Sequence, residues 1–216
     1  MAASNDSITV TPGSGASVAT HLVNSKEHQV VILADSTGDI GGNPVYRMLV
    51  PSQAVGASKV YVDLFNATGT GKTLKVLSAF AYVDSDTAVT GTLGVQLDLF
   101  RTTAIGTGGT AATSDGTVST AITISKLDTN YAALPSGVTA RSAPTAGATS
   151  GAWLATRWVF TEETSAPAGI QGSIGAEFIR NEGAELYVRE NTGVKFQQGT
   201  VASVGNIAFE ITFELI

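Results

Sequence analysis

One pentapeptide of the chain has the residue types for nucleotide chemistry: Gly69-Thr70-Gly71-Lys72-Thr73. A phosphate-binding loop runs Gly, four residues, then Gly-Lys-Ser/Thr, so that backbone amides and a lysine gather on phosphate oxygens. The last three positions fit. The leading Gly would have to stand at position 66, where the chain has Asn66. The context departs further, because such a loop opens a helix whose first amides point at the anion. Leu74 to Val83 instead reads LKVLSAFAYV, rich in the β-branched and aromatic residues of strands. GTGKT is therefore expected to turn a hairpin between two sheet strands.

The remaining reactive residues have simpler explanations. Asp84 and Asp86 flank Ser85, and Asp35 and Asp39 bracket a second turn. Neither segment has the alternating oxygen ligands, Gly and closing Glu of a calcium loop. Asp side chains bond neighbouring amides in turns, which accounts for both. Glu162 with Glu163, or Glu182 with Glu185, would be the acid and nucleophile of a glycosidase. Neighbours on a strand point to opposite faces, so Glu162 and Glu163 do not form a pair. His21 and His28 lie in the N-terminal arm, whereas a catalytic base belongs on a rigid element, and no GxSxG elbow occurs. Trp153 and Trp158, with Arg157 between, have the chemistry of a sugar-stacking platform. Five residues apart on a strand they fall on opposite faces, which predicts one in the core and one at the surface or an interface. The absence of cysteine removes thiolate catalysis, Cys-ligated zinc and iron–sulfur clusters. No catalytic residue, metal or cofactor is expected.

The elements that would carry these residues are strands. Ile207, Phe209, Ile211, Phe213 and Leu215 alternate with Ala208, Glu210, Thr212 and Glu214, the pattern of a half-buried antiparallel strand. Leu93, Val95, Leu97 and Leu99 alternate in the same way with Gly94, Gln96, Asp98 and Phe100. Val60, Val62 and Leu64 form a third run, less cleanly. Leu74 to Val83 is apolar on both faces and reads as a strand deep in a sandwich. Further strands are predicted at 8–10, 29–33, 46–50, 121–126, 153–160, 175–179 and 185–189, with Gly/Asn/Asp turns such as NATGTG, NEGA and ENTG between them. Many short strands with Gly-rich turns predict an all-β fold, an antiparallel β-sandwich or jelly-roll-like body. Residues 137–151 read as a long loop within it.

The 216 residues have room for one large β domain or two small ones. The formal net charge is −6 and the basic residues are scattered, which argues against a nucleic-acid partner. Only 14% of residues are charged, and residues 102–114 carry no charge at all. Weakly charged Ala/Gly/Ser/Thr segments of this kind suit loops or surface covered by a partner. No stretch reaches the ~20 apolar residues that cross a bilayer, and MAASNDSITV lacks the basic start and apolar core of a secretory signal. No membrane partner is expected. Residues 1–45 hold short β-prone pieces between PGSGAS, NSKEH and DSTGD, too thin for a core. They are expected to form an extended N-terminal arm, with residues 46–216 as the body. Ile8, Val10, Val18, His21, Leu22, Val30 and Ile32 are the arm's candidates for an assembly interface.

Three segments together resemble virion structural proteins of tailed bacteriophages. They are ASVATHLVNSKEHQVVILADSTGD, GTGKTLKVLSAFAYVDSDTAVTGTLGVQLDLFRTTAIGTGGTA and LYVRENTGVKFQQGTVASVGNIAFEITFELI. The resemblance implies a non-enzymatic capsid decoration, cement or minor head protein. It further implies a homotrimer that binds the major capsid protein, sits on the head surface and assembles in the host cytoplasm. The alternative within that class is a tail- or fibre-associated protein that binds host surface glycan.

Overall fold

The computed structural model describes residues 19–23, 26–30, 42–83, 91, 94–116, 121–145, 150–161, 175–179 and 185–216. Contacts divide the chain into two units, Met1–Gly42 and Asn43–Ile216. In the first unit the described residues form one antiparallel hairpin, β1 (Ala19–Val23) and β2 (Lys26–Val30), which sets His21 opposite His28 and Ala19 opposite Val30.

The second unit is a sandwich of two sheets. β3 (Val45–Ala54), β5 (Leu74–Val83), β9 (Thr123–Lys126), β12 (Gly175–Ile179) and β15 (Asn206–Leu215) belong to one, with short β8 (Thr113–Ser114) and β13 (Leu186–Val188). β4 (Val60–Asn66), β6 (Gly94–Thr102), β10 (Val138–Ser142), β11 (Ser150–Phe160) and β14 (Thr192–Gln198) form the other, with short β7 (Thr110–Ala111). The strand orders are β12-β5-β15-β3-β9-β8 and β11-β6-β14-β4-β10-β7. Setting aside β7 to β10, eight sheet positions remain, with β12 and β13 both paired to β5 and sharing one. Numbered along the chain, they run 1-8-3-6 in one sheet and 2-7-4-5 in the other. That is jelly-roll order. Residues between β6 and β11 extend each sheet by two short strands, β9 beside β3 with β8 beyond it and β10 beside β4 with β7 beyond it.

The core lies between the sheets. Phe209 of β15 packs on Tyr61 and Phe196 across the gap, and Phe196 meets Phe178 edge-on at 4.8 Å. β15 keeps its alternation, with Ile207, Phe209, Ile211, Phe213 and Leu215 all buried. β5 does not keep one parity. Leu74 and Val76 are buried, then Ala79 and Ala81, because the pairing with β15 slips between Thr212 and Phe213. A bulge adds one residue and moves the following side chains to the other face. Double-sided apolarity in LKVLSAFAYV thus reflects a bulge, and Leu77, Phe80 and Tyr82 are only partly buried.

Two predicted features differ. β4 and β5 lie in opposite sheets, so GTGKT spans the sandwich instead of turning a hairpin within one sheet. Local spacing cannot distinguish these, since both need only a tight polar connection. Residues 137–151 include β10 and the start of β11 and are not one loop.

Candidate functional site

Around GTGKT, Asn66 ends β4, and its side-chain amide donates to Lys72 O (2.8 Å) and Val188 O (3.2 Å). Thr70 Oγ1 donates to Asn66 Oδ1 (2.7 Å) and to Glu190 Oε1 (3.2 Å). The Gly71 amide also donates to Glu190. These bonds, with the Gly69 and Thr70 amides, hold the Glu190 carboxyl below its ordinary range. Gly69 and Gly71 take positive φ, which lets their amides converge. The loop gathers an anion, and the anion is the chain's own. Thr73 leads into strand β5.

Other acids are similarly engaged or lie elsewhere. Glu185 pairs with Lys75 (2.6 Å) and accepts from the Tyr187 hydroxyl. Asp35, Asp39, Asp84, Asp86, Glu162, Glu163 and Glu182 lie outside the described residues. Of the arm candidates, His21, Leu22 and Val30 fall in the β1–β2 hairpin. Ile8, Val10, Val18 and Ile32 lie outside the described residues.

The surface that stands out is the outer face of β6 and β11. Trp153, Trp158 and Phe160 are 62%, 53% and 55% exposed. Trp153 stacks beside Phe100 of β6 at 6.2 Å. A Cβ on Gly94 would touch both Trp158 and Phe160. Gly94, Gln96, Asp98 and Phe100 occupy one face of β6, so both tryptophans share that face. This corrects the expectation of opposite faces. β11 slips register against β6 on either side of Trp153, and Leu154 is the extra residue between Trp153 and Ala155. The slip returns Trp158 to the face of Trp153.

Polar groups fill the gap between the aromatic pads. Asp98 accepts from Gln96 Nε2 at 3.1 and 3.2 Å and from the Thr156 hydroxyl. Trp153 pairs with Phe100 and Trp158 with Gln96, four residues apart on β6, or about 13 Å along the strand. Phe100, Phe160 and the Gln96–Asp98–Thr156 group were not singled out from sequence. The alternation along β6 already placed Phe100 and Asp98 on one face, and that is the signal that could have found them.

The same face continues into a covered half. Cα partners set Trp153, Phe100, Lys195, Asp63 and Arg141 in one row across five strands. Lys195 Nζ stands 5.7 Å over the Phe100 ring. Asp63 is fully buried, and the loop after β6 reaches it at Gly106. The Gly106 amide donates to Asp63 Oδ2 (2.6 Å), and Arg141 Nη1 donates to Gly108 O (2.9 Å). Burial pushes the Asp63 carboxyl up to about 6, against the opposing pull of the Gly106 amide, Lys195 and Arg141.

The two sides of the sandwich also differ. On one, the chain passes from β7 to β8 through Ala112, whose amide donates to Ala140 O (2.9 Å), above a cavity of about 330 Å³ lined by Ile105, Ile124, Leu134 and Val138. On the other, β11 stands at the edge, and a cleft of about 240 Å³ opens between Leu154 and Ala155 and the Phe178–Ile179 and Leu186 side. Arg157 crosses this side to Glu177 O (3.1 Å).

No protein family, curated protein or solved structure matches the chain.

Proposed function

We propose that the protein is a non-enzymatic structural component of a tailed-bacteriophage particle, a capsid decoration, cement or minor head protein. The observation that carries this reading is a jelly-roll body whose long edge strand β11 pairs only with β6 among the described residues, with an aromatic outer face beside it. Exposed aromatic surface of this kind marks a contact with another macromolecule. The resemblance of the three quoted segments supplies the virus particle as the setting. GTGKT and Glu185 support a non-enzymatic role, since each already has its partner within the chain. In this reading residues 1–45 reach the major capsid protein or a sister subunit by strand addition, a mode that needs no preformed pocket. Many copies on a lattice turn a weak contact into firm attachment. The test deletes the arm and measures attachment to shells stripped of the protein. Loss of attachment is expected, and undiminished attachment would exclude the arm's role.

A second reading rests on the shared face of Trp153 and Trp158. Aromatic pads about 13 Å apart along the strand, with Gln96, Asp98 and Thr156 between them, suit an extended oligosaccharide. The protein would then be a tail- or fibre-associated receptor binder for host glycan. A glycan array with the full chain separates the two. Retention that Trp153→Ala and Trp158→Ala abolish supports the receptor binder, and a blank array supports the shell protein.

A further inference from the structure

We infer that two copies of this chain join through β11, edge to edge and antiparallel about a two-fold axis, so that their six-stranded sheets become one continuous sheet. The inference concerns contact between copies and stands whether or not a virus shell is the larger partner.

Open sheet edges invite pairing, and proteins guard them with short strands, charges, proline or a covering segment. The other edges of this sandwich are short. β7 and β8 have two residues each, and β12 and β13 have five and three. β11 has eleven, and among the described residues it pairs only with β6. Its sequence, SGAWLATRWVF, contains no proline or lysine and one charge. That charge, Arg157, is tied across the sandwich to Glu177 O and, on its own strand, to Thr156 O. A carbonyl has two lone pairs, so Thr156 O can still accept from a second strand.

The strand is also complementary to itself. Side chains opposite one another in an antiparallel pair share a face. A two-fold axis at Thr156 sets Arg157 opposite Ala155 of the other copy, which keeps the two guanidinium groups apart. With Leu154 as the extra residue, as it is against β6, each Trp158 then lies beside the other copy's Trp153. With the second slip, between Ser150 and Trp153, carried over as well, Phe160 falls opposite Ser150. An axis at Arg157 would instead oppose two cations. The aromatic pads of the two copies merge into one row on the outer face, and cross-strand aromatic pairs stabilise such ribbons.

The natural chain has no cysteine, so one introduced thiol reports without background. Under mild oxidation Thr156→Cys is expected to give a covalent dimer of the full-length chain, and Thr139→Cys, on exposed β10 surface, is expected to give none. Light scattering is expected to return twice the 22.0 kDa chain mass. Trp158→Lys is expected to return a single chain mass with an unchanged far-ultraviolet circular dichroism spectrum. Should that variant misfold, Trp153→Thr tests the same contact. A wild-type chain at single mass with no Thr156→Cys dimer would overturn the pairing. So would a three-chain mass that Trp158→Lys leaves intact, or an assembly abolished by removing residues 1–42 but indifferent to the β11 variants.

Discussion

At Asp63 of β4 the outer face of the six-stranded sheet is closed by the loop at Gly106, whereas over β6 and β11 Trp153, Trp158 and Phe160 are more than half exposed. The covered half holds Asp63 and Lys195, both buried, with Arg141 beside them, while on the bare half the Asp98 carboxylate is bonded by Gln96 and Thr156. The bare half holds the aromatics. Burial of a charge is tolerated only with partners, and the loop supplies one through the Gly106 amide. Exposed tryptophan needs no such partner to be stable, and its apolar surface remains available to another molecule. The difference separates a part of the sheet that completes the fold from a part left for contact. Substitutions in the first should act on stability, and those in the second on association.

The largest effect is expected at Gly193, in the covered half. A Cβ there would come within 2.5 Å of Thr102 Oγ1, 2.6 Å of Leu64 O and 2.7 Å of a Phe65 ring atom. Two of the three are backbone or ring and cannot simply rotate away. Gly193→Ala should cost about 3 kcal/mol in denaturant unfolding. A variant as stable as the natural protein would break the distinction between the halves.

A slightly smaller effect should follow pH. The Asp63 carboxyl titrates near 6 in the folded chain, raised from 3.8 by burial. Between those values the folded state holds a proton that the unfolded state has released, so rising pH lowers stability. This contribution is full below about 4 and is lost as pH rises through about 6, by about 2–3 kcal/mol. Asp63→Asn cannot ionise. The difference between natural and variant unfolding energies should therefore shift by that amount between pH 4 and pH 7, and a constant difference would place the carboxyl in a more solvated setting.

On the bare half the effects on folding should be small. At concentrations where the chain is single, Trp153→Ala should cost about 1 kcal/mol, for its stacking on Phe100. Trp158→Ala should cost no more than about 0.5 kcal/mol, as surface substitutions do. Thermal denaturation of both variants would sharpen the contrast. A large loss at Trp158 would mean that the bare half is also part of the fold. The smallest effect is expected at Glu190→Gln, which weakens the acceptor of the Gly71 amide. Hydrogen exchange at Gly71 should quicken while β4 and β5 keep their protection.

Strands whose apolar residues keep strict alternation were legible in the sequence. β15 and β6 carry uninterrupted inward series, and β12 runs over the predicted residues 175–179. β14 and β10 were not predicted. β14 has only Val194 and Phe196 as apolar inward residues, and between them stands Lys195, which is buried through the cross-strand setting of Asp63 and Phe100. β10 presents Val138 and the small Ala140. The aromatic site was hidden for a different reason. Counting from Trp153 to Trp158 assumes an unbroken period of two, and the extra residue at Leu154 exists only in the pairing with β6. Asp63 reads as an ordinary outward carboxylate until Gly106, 43 positions later, reaches it.

The Glu190 carboxylate on the 69–71 amides has a consequence for selectivity. The turn that carries it is fixed to the same loop, through Asn191 N to Asn66 O at 2.7 Å. Tethering of this kind gives the carboxylate an effective local concentration of at least about millimolar. A phosphate or nucleotide from solution must outcompete that resident rival before it meets a single amide. Protonation would clear the rival, but the same amides hold the Glu190 carboxyl below its ordinary range, so the seat stays taken near neutral pH. The loop after β4 thus offers its amides first to a carboxylate of its own chain.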